Sequence, residues 1–389
     1  MSILAVGAWL KNTVCLLQND RVLWSSTHGD LSDPVACLAL EESVQKMRRL
    51  ACLSNQPVRA IAHDLHPDFY STQLALQQAR AWQVPAVGVQ HHHAHMAAVM
   101  AEHQLSGPVL GLALDGVGFG TDGKAWGGEL LWVNGAEWRR LGHLTTLALP
   151  GGDRAAREPW RMAASALQAC GRGAEIVPRW GPVVGENRAQ GLHSMLEAEL
   201  NCPLTSSTGR WFDAAAAALG VSVRQHEEAQ AAMALENLAS RWLARHPDAR
   251  PAIPPALVVP AENGLSQLDL RPLWASLLDT PVAEREAAAA RFHLGLVDGL
   301  ARWVQVQAQI LSSSRSPWAS SPVVCLGDGC FLNRILRDRL AQQLQALGFQ
   351  VHWPAQKMGD DGLAWGQAWV ASHRLSCAAD LGKEMTTCV

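Results

Sequence analysis

The chain has 389 residues, of which 48% are hydrophobic and 17% charged, with a net charge of −3. That apolar content excludes wholesale disorder and supplies core for two lobes or more. The charge balance excludes a globally basic, nucleic-acid-coating protein.

Nine cysteines are scattered without a C-x-x-C pair, which reads as free thiols in a reducing cytosol. The N-terminus lacks a basic stretch ahead of its apolar run, and no segment reaches 18 uninterrupted apolar residues. Neither a signal peptide nor a membrane span is expected, and the predicted location is cytoplasmic.

In chain order, residues 3–7, 13–17 and 21–25 read as a three-strand meander with a turn at Asn19-Asp20. A helix is predicted over 34–54, with Leu40, Val44, Met47 and Leu50 on one face. A strand over 57–62 and a helix over 71–82, capped by Ser71, follow. A second meander begins at Pro108, with strands at 109–114, 127–133 and 138–141 around a glycine-dense loop. One supersecondary unit is thus used twice. From 155 to 290 the chain turns alanine-rich and helical, with a surface connection at Pro251, Pro254, Pro255 and Pro260. A strand, the turn Gly327-Asp328-Gly329, a leucine-faced helix and a strand at 350–353 close the pattern. Gly359-Asp360-Asp361-Gly362 then opens a last helix, and no strong pattern follows Ser372.

The densest chemical signal is VQHHHAHMAAVMAEH. On a helix His91 and His95 stand one turn apart on one face, close enough to share an ion, while His92 and His93 point elsewhere. A polar helix start is the alternative. Spacing does not choose among Zn, Fe, Ni and related ions. Asp115, at the end of an apolar strand, precedes Gly118, Gly120, Thr121 and Gly123; such a loop ligates a cation, admits phosphate to backbone N–H groups, or is an ordinary hairpin. Gly327-Asp328-Gly329 before a helix suits the ribose or phosphate of a nucleotide, or is a plain structural turn. Asp360 is a cation ligand or a helix cap. Around 150–161, Arg154, Arg157 and Arg161 offer guanidinium groups for phosphate or carboxylate. In SSTGRWFD (206–213), a capped helix start carries Gly209 and Asp213.

With these segments in view, the sequence resembles the carbamoyltransferase region of the HypF family along nearly its whole length. The matching stretches include AVGAWLKNTVCL, DLHPDFYST, VQHHHAH, LALDGVGFGTDGKAWGGELL, LPGGDRAAREPWR and FLNRIL. The resemblance implies an α/β fold of two RNase H-like lobes, of the acetate kinase, sugar kinase, Hsp70 and actin superfamily, with a helical insert. The expected division is 1–104 with a helix at about 361–375 for the first lobe, 105–154 and 291–360 for the second, 155–290 for the insert and 376–389 for a tail. Full-length members carry acylphosphatase, zinc-finger and YrdC-like regions ahead of this one. Met1 begins directly at the family region, which reads as a truncated member. Where such members have Gly-Gly in the nucleotide turn, this chain has Gly327-Asp328.

The same resemblance implies site residues. A divalent ion (Fe, Zn or Mg) would be held by His91, His95, Asp115 and Asp360, which also form the catalytic set. Gly118, Gly120, Thr121, Gly123, Gly209, Asp213, Gly327, Gly329 and Asn333 would bind ATP or carbamoyl-adenylate. The implied reaction uses carbamoyl phosphate and ATP. It passes a carbamoyl group to the C-terminal cysteine of the partner HypE, toward the cyanide ligands of [NiFe] hydrogenase. Trp126, Trp160 and Trp211 line an acceptor channel or sit in the core. No internal nucleophilic cysteine is required. The other readings are a non-catalytic adaptor and a TsaD-like tRNA threonylcarbamoyl transferase; the acidic balance and the motifs disfavour the latter.

Overall fold

The computed structural model describes residues 1–19, 21–247, 254–313, 322–356 and 359–386. Asp20 of the first expected turn, Pro251 of the surface connection, Cys388 and the last residues of the expected tail lie outside them.

The first sheet comprises β1 (Ser2–Ala5), β2 (Cys15–Gln18), β3 (Arg21–Trp24), β4 (Val58–Asp64) and β5 (Ala86–Val89), in the order β3-β2-β1-β4-β5. The first three pair antiparallel; β4 and β5 are parallel additions. Strand alternation sorts the side chains to two faces. Leu4 and Leu16 pack with Leu40, Val44 and Met47 of α1 (Pro34–Leu53) and Leu74 of α2 (Tyr70–Trp82). Ile3, Ala5 and Cys15 face the other way, onto Ala94 and Ala97 of α3 (His91–Glu102). Ser71 does not cap α2. It sits inside that helix, and its hydroxyl donates to the Ala8 carbonyl at 3.1 Å.

The second sheet repeats the unit. Its strands β6 (Val109–Phe119), β7 (Ala125–Asn134) and β8 (Glu137–Leu144) are antiparallel neighbours. The short strands β9 (Leu147–Ala148) and β10 (Leu204–Thr205) pair beside them. The sheet order is β11-β12-β8-β7-β6-β13-β14, with β11 (Leu257–Pro260), β12 (Ser266–Asp269), β13 (Val323–Gly327) and β14 (Gln350–His352). The inner part, β8-β7-β6-β13-β14, matches the first sheet strand for strand. Residues 257–269, expected inside a helical stretch, instead extend its edge, as the β-branched Val258 and Val259 favour.

Between β9 and β13 lie α4 (Arg154–Arg157), α5 (Pro159–Ala169), α6 (Ile176–Val184), α7 (Glu186–Glu197), α8 (Thr208–Ala218), α9 (Gln230–Arg245), α10 (Arg271–Ala275) and α11 (Arg285–Ser313). Their apolar faces and one face of the second sheet (Leu110, Leu112, Leu114) form the largest core. Trp160 and Trp211 are buried in it and line no channel, whereas Trp126, under Arg140, stands in the wall of a cavity of about 400 Å³ with Asp122 and His143. After β13 and α12 (Arg334–Ala346), α13 runs from Leu363 to Thr386, well past the end expected near 375.

Helix α3 is the joint of the molecule. Ala94 and Ala97 meet the first sheet, while Met96, Val99 and Met100 meet Val109, Ala113 and Val133 of the second. Every residue from His91 to Met100 is buried. Helix α13 crosses α3 so closely that a Cβ on Gly366 would lie 1.7 Å from the Ala94 carbonyl oxygen. Four histidines in a polar-looking segment, His91, His92, His93 and His95, therefore sit at the centre of the fold, where each ring needs a partner.

Candidate active site

The site grows from four chain segments that converge on the first turn of α3. The Gln90 side chain caps that helix by accepting from His93 N–H at 2.8 Å, which starts the histidine ladder at a fixed position. His91 Nδ1 donates to Asp64 Oδ2 at 2.8 Å, at the end of β4, leaving the Nε2 lone pair pointing into the cluster. His95, one turn on, places its Nε2 3.3 Å from that of His91.

The carboxylates come from the loops. Asp115 stands where the β6–β7 register shifts, and Ser207 Oγ donates to its carbonyl at 3.0 Å. Asp360 opens the turn before α13. That turn is tied to the first sheet by Thr13 Oγ1 donating to Asp361 O at 3.0 Å, and by Gln367 Oε1 accepting from Gly7 N–H at 3.0 Å. His91 Nε2 lies 3.7 Å from both Asp115 Oδ2 and Asp360 Oδ1, and His95 Nε2 lies 3.5 Å from Asp360 Oδ1. Donors about 2.0–2.2 Å from one ion stand roughly 3–4.4 Å from each other, so these spacings fit a cation. The structure thus brings His91, His95, Asp115 and Asp360 to one place.

Two further residues join them. Asp64, not singled out by the sequence, orients His91 from behind. Asp328 reaches His95 Nε2 at 3.0 Å with Oδ1, while Oδ2 faces His92 Nε2 at 4.0 Å. Ligand atoms of His91, His95, Asp328 and Asp360 lie within 4.8 Å of one another. Asp328 adopts φ 90°, ψ 169°, a region that a non-glycine residue enters at a cost of about 1–3 kcal/mol.

Electrostatics follow the geometry. Burial alone would lower both ligand-facing histidines. The Asp64 hydrogen bond and charge nevertheless raise His91 well above its usual range, and Asp328 raises His95 to about 9. Burial leaves His92 and His93 neutral, at about 4. Burial, reinforced by the Asp328 and Asp360 charges, pushes Asp115 well up. Asp328 resists burial because His95 holds it ionised.

Beside the cluster lies a cavity of about 330 Å³, whose lining includes Lys11, Asp115, Gly209, Asp213, Gly329 and Asn333. Gly118, Gly120, Thr121, Gly123 and Gly327 are not part of that lining. The strand β6 continues through the expected loop to Phe119, and Gly118 packs so tightly on the imidazoles that a Cβ there would come 2.5 Å from His92 Cε1. Gly120 and Gly123 form the hairpin turn, joined by an N–H···O bond of 3.0 Å. Thr121 is exposed on that turn. Gly327 backs onto Met96. Asn333 spends its amide on the fold: its oxygen caps α12, and its nitrogen donates to His293 Nε2 at 3.0 Å. Burial raises Asp213 to about 6 while Arg210 holds it at 3.0 Å. Lys11 reaches Glu228 at 3.2 Å across the mouth. The arginines of 150–161 are engaged differently from the expectation: Arg154 and Arg161 pair with Glu158, and Arg161 also donates to the Pro150 carbonyl at 3.1 Å.

Comparison with known proteins matches nearly the whole chain. Residues 1–102 match the family model described as HypF Kae1-like domain, and residues 111–367 that described as Carbamoyltransferase, Kae1-like Domain, second subdomain. The chain is 53% identical to the Carbamoyltransferase HypF homolog of Cupriavidus necator, over 97% of this chain and 93% of the relative. It is 46% identical to Carbamoyltransferase HypF2 of the same organism, over 96% of this chain and 47% of the relative. A crystal structure of full-length HypF in a phosphate- and nucleotide-bound form superposes with a TM-score of 0.81 at 30% identity, covering 96% of this chain and 46% of that one. The chain therefore spans most of one relative and about half of the longer ones. It belongs to the HypF carbamoyltransferase family, and corresponds to the Kae1-like half of that family's long members.

Proposed function

We propose that the chain transfers a carbamoyl group from carbamoyl-adenylate to the C-terminal cysteine thiol of HypE in [NiFe] hydrogenase maturation, at the histidine–carboxylate cluster. The observation that carries this reading is the meeting of His91, His95 and Asp360 with Asp115, which itself lines the neighbouring 330 Å³ cavity. In this reading the cavity takes the adenylate. The backbone N–H of Gly209, in the first turn of α8, approaches its phosphate, and the Lys11 ammonium at the mouth offsets the phosphate charge. A divalent ion held by the cluster would supply Lewis-acid stabilisation where negative charge develops on oxygen. Asp64 holds the His91 ring so that its Nε2 lone pair would face the ion. The acceptor sulfur forms a bond to the carbamoyl carbon as the carbon–oxygen bond to the adenylate phosphate breaks. AMP leaves, and the thiol proton passes to water.

The test is mass analysis of HypE after incubation with this chain and supplied carbamoyl-adenylate. Added mass of one carbamoyl group on the terminal cysteine, lost when that cysteine is deleted, is the expected result. HypE left unmodified by the wild-type chain, with adenylate intact, would overturn the reading. A parallel incubation with carbamoyl phosphate and ATP shows whether the chain makes the adenylate itself.

A further inference from the structure

We infer that Asp328 is an additional ligand of the cation proposed for this cluster, and that His92 is the positioning residue that holds its carboxylate. The inference rests on the metal reading above and adds to its ligand set. Three observations lead there.

The first is conformational. Asp328 occupies a left-handed, extended backbone region that favours glycine, and its side chain is fully buried. A residue kept there against its own preference is held by what its side chain does.

The second is the reach of its two oxygens. Oδ1 stands 3.0 Å from His95 Nε2, within the spacing of donors around one ion, and belongs to the group formed with His91 and Asp360.

The third is the pair behind it. The Gln90 amide nitrogen donates to His92 Nδ1 at 3.0 Å, since the amide oxygen is already accepting from His93 N–H. His92 therefore carries its proton on Nε2. That N–H and Asp328 Oδ2 face each other across 4.0 Å, both buried and with no hydrogen-bond partner. A donor behind a ligating carboxylate is the usual second layer of a metal site. Gln90 and His92 form such a layer behind Asp328, anchored to the start of α3. Gly118 leaves the imidazole the room it needs.

The rival arrangement is a simple ion pair in which protonated His95 holds Asp328 and no bond to the ion forms. Co²⁺ separates the two, because its visible spectrum reports directly bonded atoms. The chelator-stripped full chain is titrated with Co²⁺, followed by absorption and by competition for affinity, with circular dichroism as the check on folding. In wild type one ion binds. Asp328→Gly, which suits the backbone, and Asp328→Asn, which keeps the shape, should each lower affinity at least tenfold and move the visible bands. His92→Phe should lower affinity about tenfold with Asp328 still bound. Unchanged bands in both Asp328 variants, with or without weaker binding, would overturn Asp328 as a ligand. If His95→Ala then loses the ion, the underlying metal reading stands. Wild-type chain that binds no Co²⁺ removes both.

Discussion

His91 Nδ1 and Asp64 Oδ2 are 2.8 Å apart, with both groups buried, so the tautomer of the first histidine is set from behind by a strand of the first sheet. Replacing Asp64 by Ala leaves a buried N–H unpaired, at a cost of about 1–3 kcal/mol. It also frees the ring to turn. We expect Asp64→Ala to weaken Zn²⁺ binding by about 10–100-fold, read by chelator competition, with a smaller fall in urea stability. Wild-type affinity in a folded Asp64→Ala protein would show that the bond does not orient the ligand.

The chelator-stripped chain should be most stable near pH 6.5. His95 has a folded value of about 9, above the usual 6.5, so its stabilisation is complete below 6.5 and is lost as pH rises through 9. His92, His93 and His293 sit near 4 in the fold, so the unfolded chain binds more protons and stability falls from pH 6.5 toward 4. Urea midpoints across pH 4–9.5 should trace this maximum. His95→Ala should make the alkaline limb shallower, the remainder coming from His91 and Asp115, and leave the acid limb in place.

Gly366 permits the close crossing of α13 over α3. Gly366→Ala must push apart backbone that no rotamer change relieves, and should cost roughly 3 kcal/mol or more. Thermal and urea denaturation measure it; an alanine variant as stable as wild type would mean that the helices are not that close.

Lys11 lies at the cavity mouth, half-buried beside Glu228, Asp360 and Asp115. Lys11→Ala should weaken AMP binding about tenfold, measured calorimetrically, with a reduced dependence on salt. Equal affinities at low salt would place the phosphate elsewhere.

Cys330 lines the cavity, yet burial lifts its thiol well above the usual range, and Cys325 is raised by burial in the same way. Neither is a thiolate at neutral pH. Cys330→Ala and Cys325→Ala should retain carbamoyl transfer to HypE within about twofold, a variation of under ~1 kcal/mol. A carbamoyl adduct trapped on Cys202, Cys325 or Cys330 would contradict direct transfer.

Strands β1–β4, β6–β8, β13 and β14 were legible because apolar runs and turn residues mark them, and the helix period marks α1 and α12; β5 and β9–β12, each two to four residues long, carry too little pattern to be read. The H-x-x-x-H spacing placed His91 and His95 together, since one helical turn is a local rule. Asp64 was not legible: it ends a strand 27 positions before His91, and only the pairing of β4 with β5 brings them together. Asp328 was noticed as an extra carboxylate in a nucleotide turn. Its unusual φ, which no local pattern announces, swings the side chain onto the histidines instead. The glycine loop after Asp115 was read by composition, whereas the ladder with β7 carries the strand through it to Phe119. The end of α13 was missed because no face of residues 373–386 has a strong apolar period.

The crossing of α13 on the first sheet has a consequence for biosynthesis. Ile3, Ala5 and Cys15 share their core with Leu363, Ala364 and Ala368. Helix α3 covers part of that face of the first-made strands through Ala94 and Ala97, but the rest stays bare until α13 has been made, as the 360-residue separation of Gly7 from Gln367 indicates. Order of synthesis and order of assembly run opposite ways here. That interval exposes the nascent meander to mispairing, and makes it the part of the chain on which a chaperone would act.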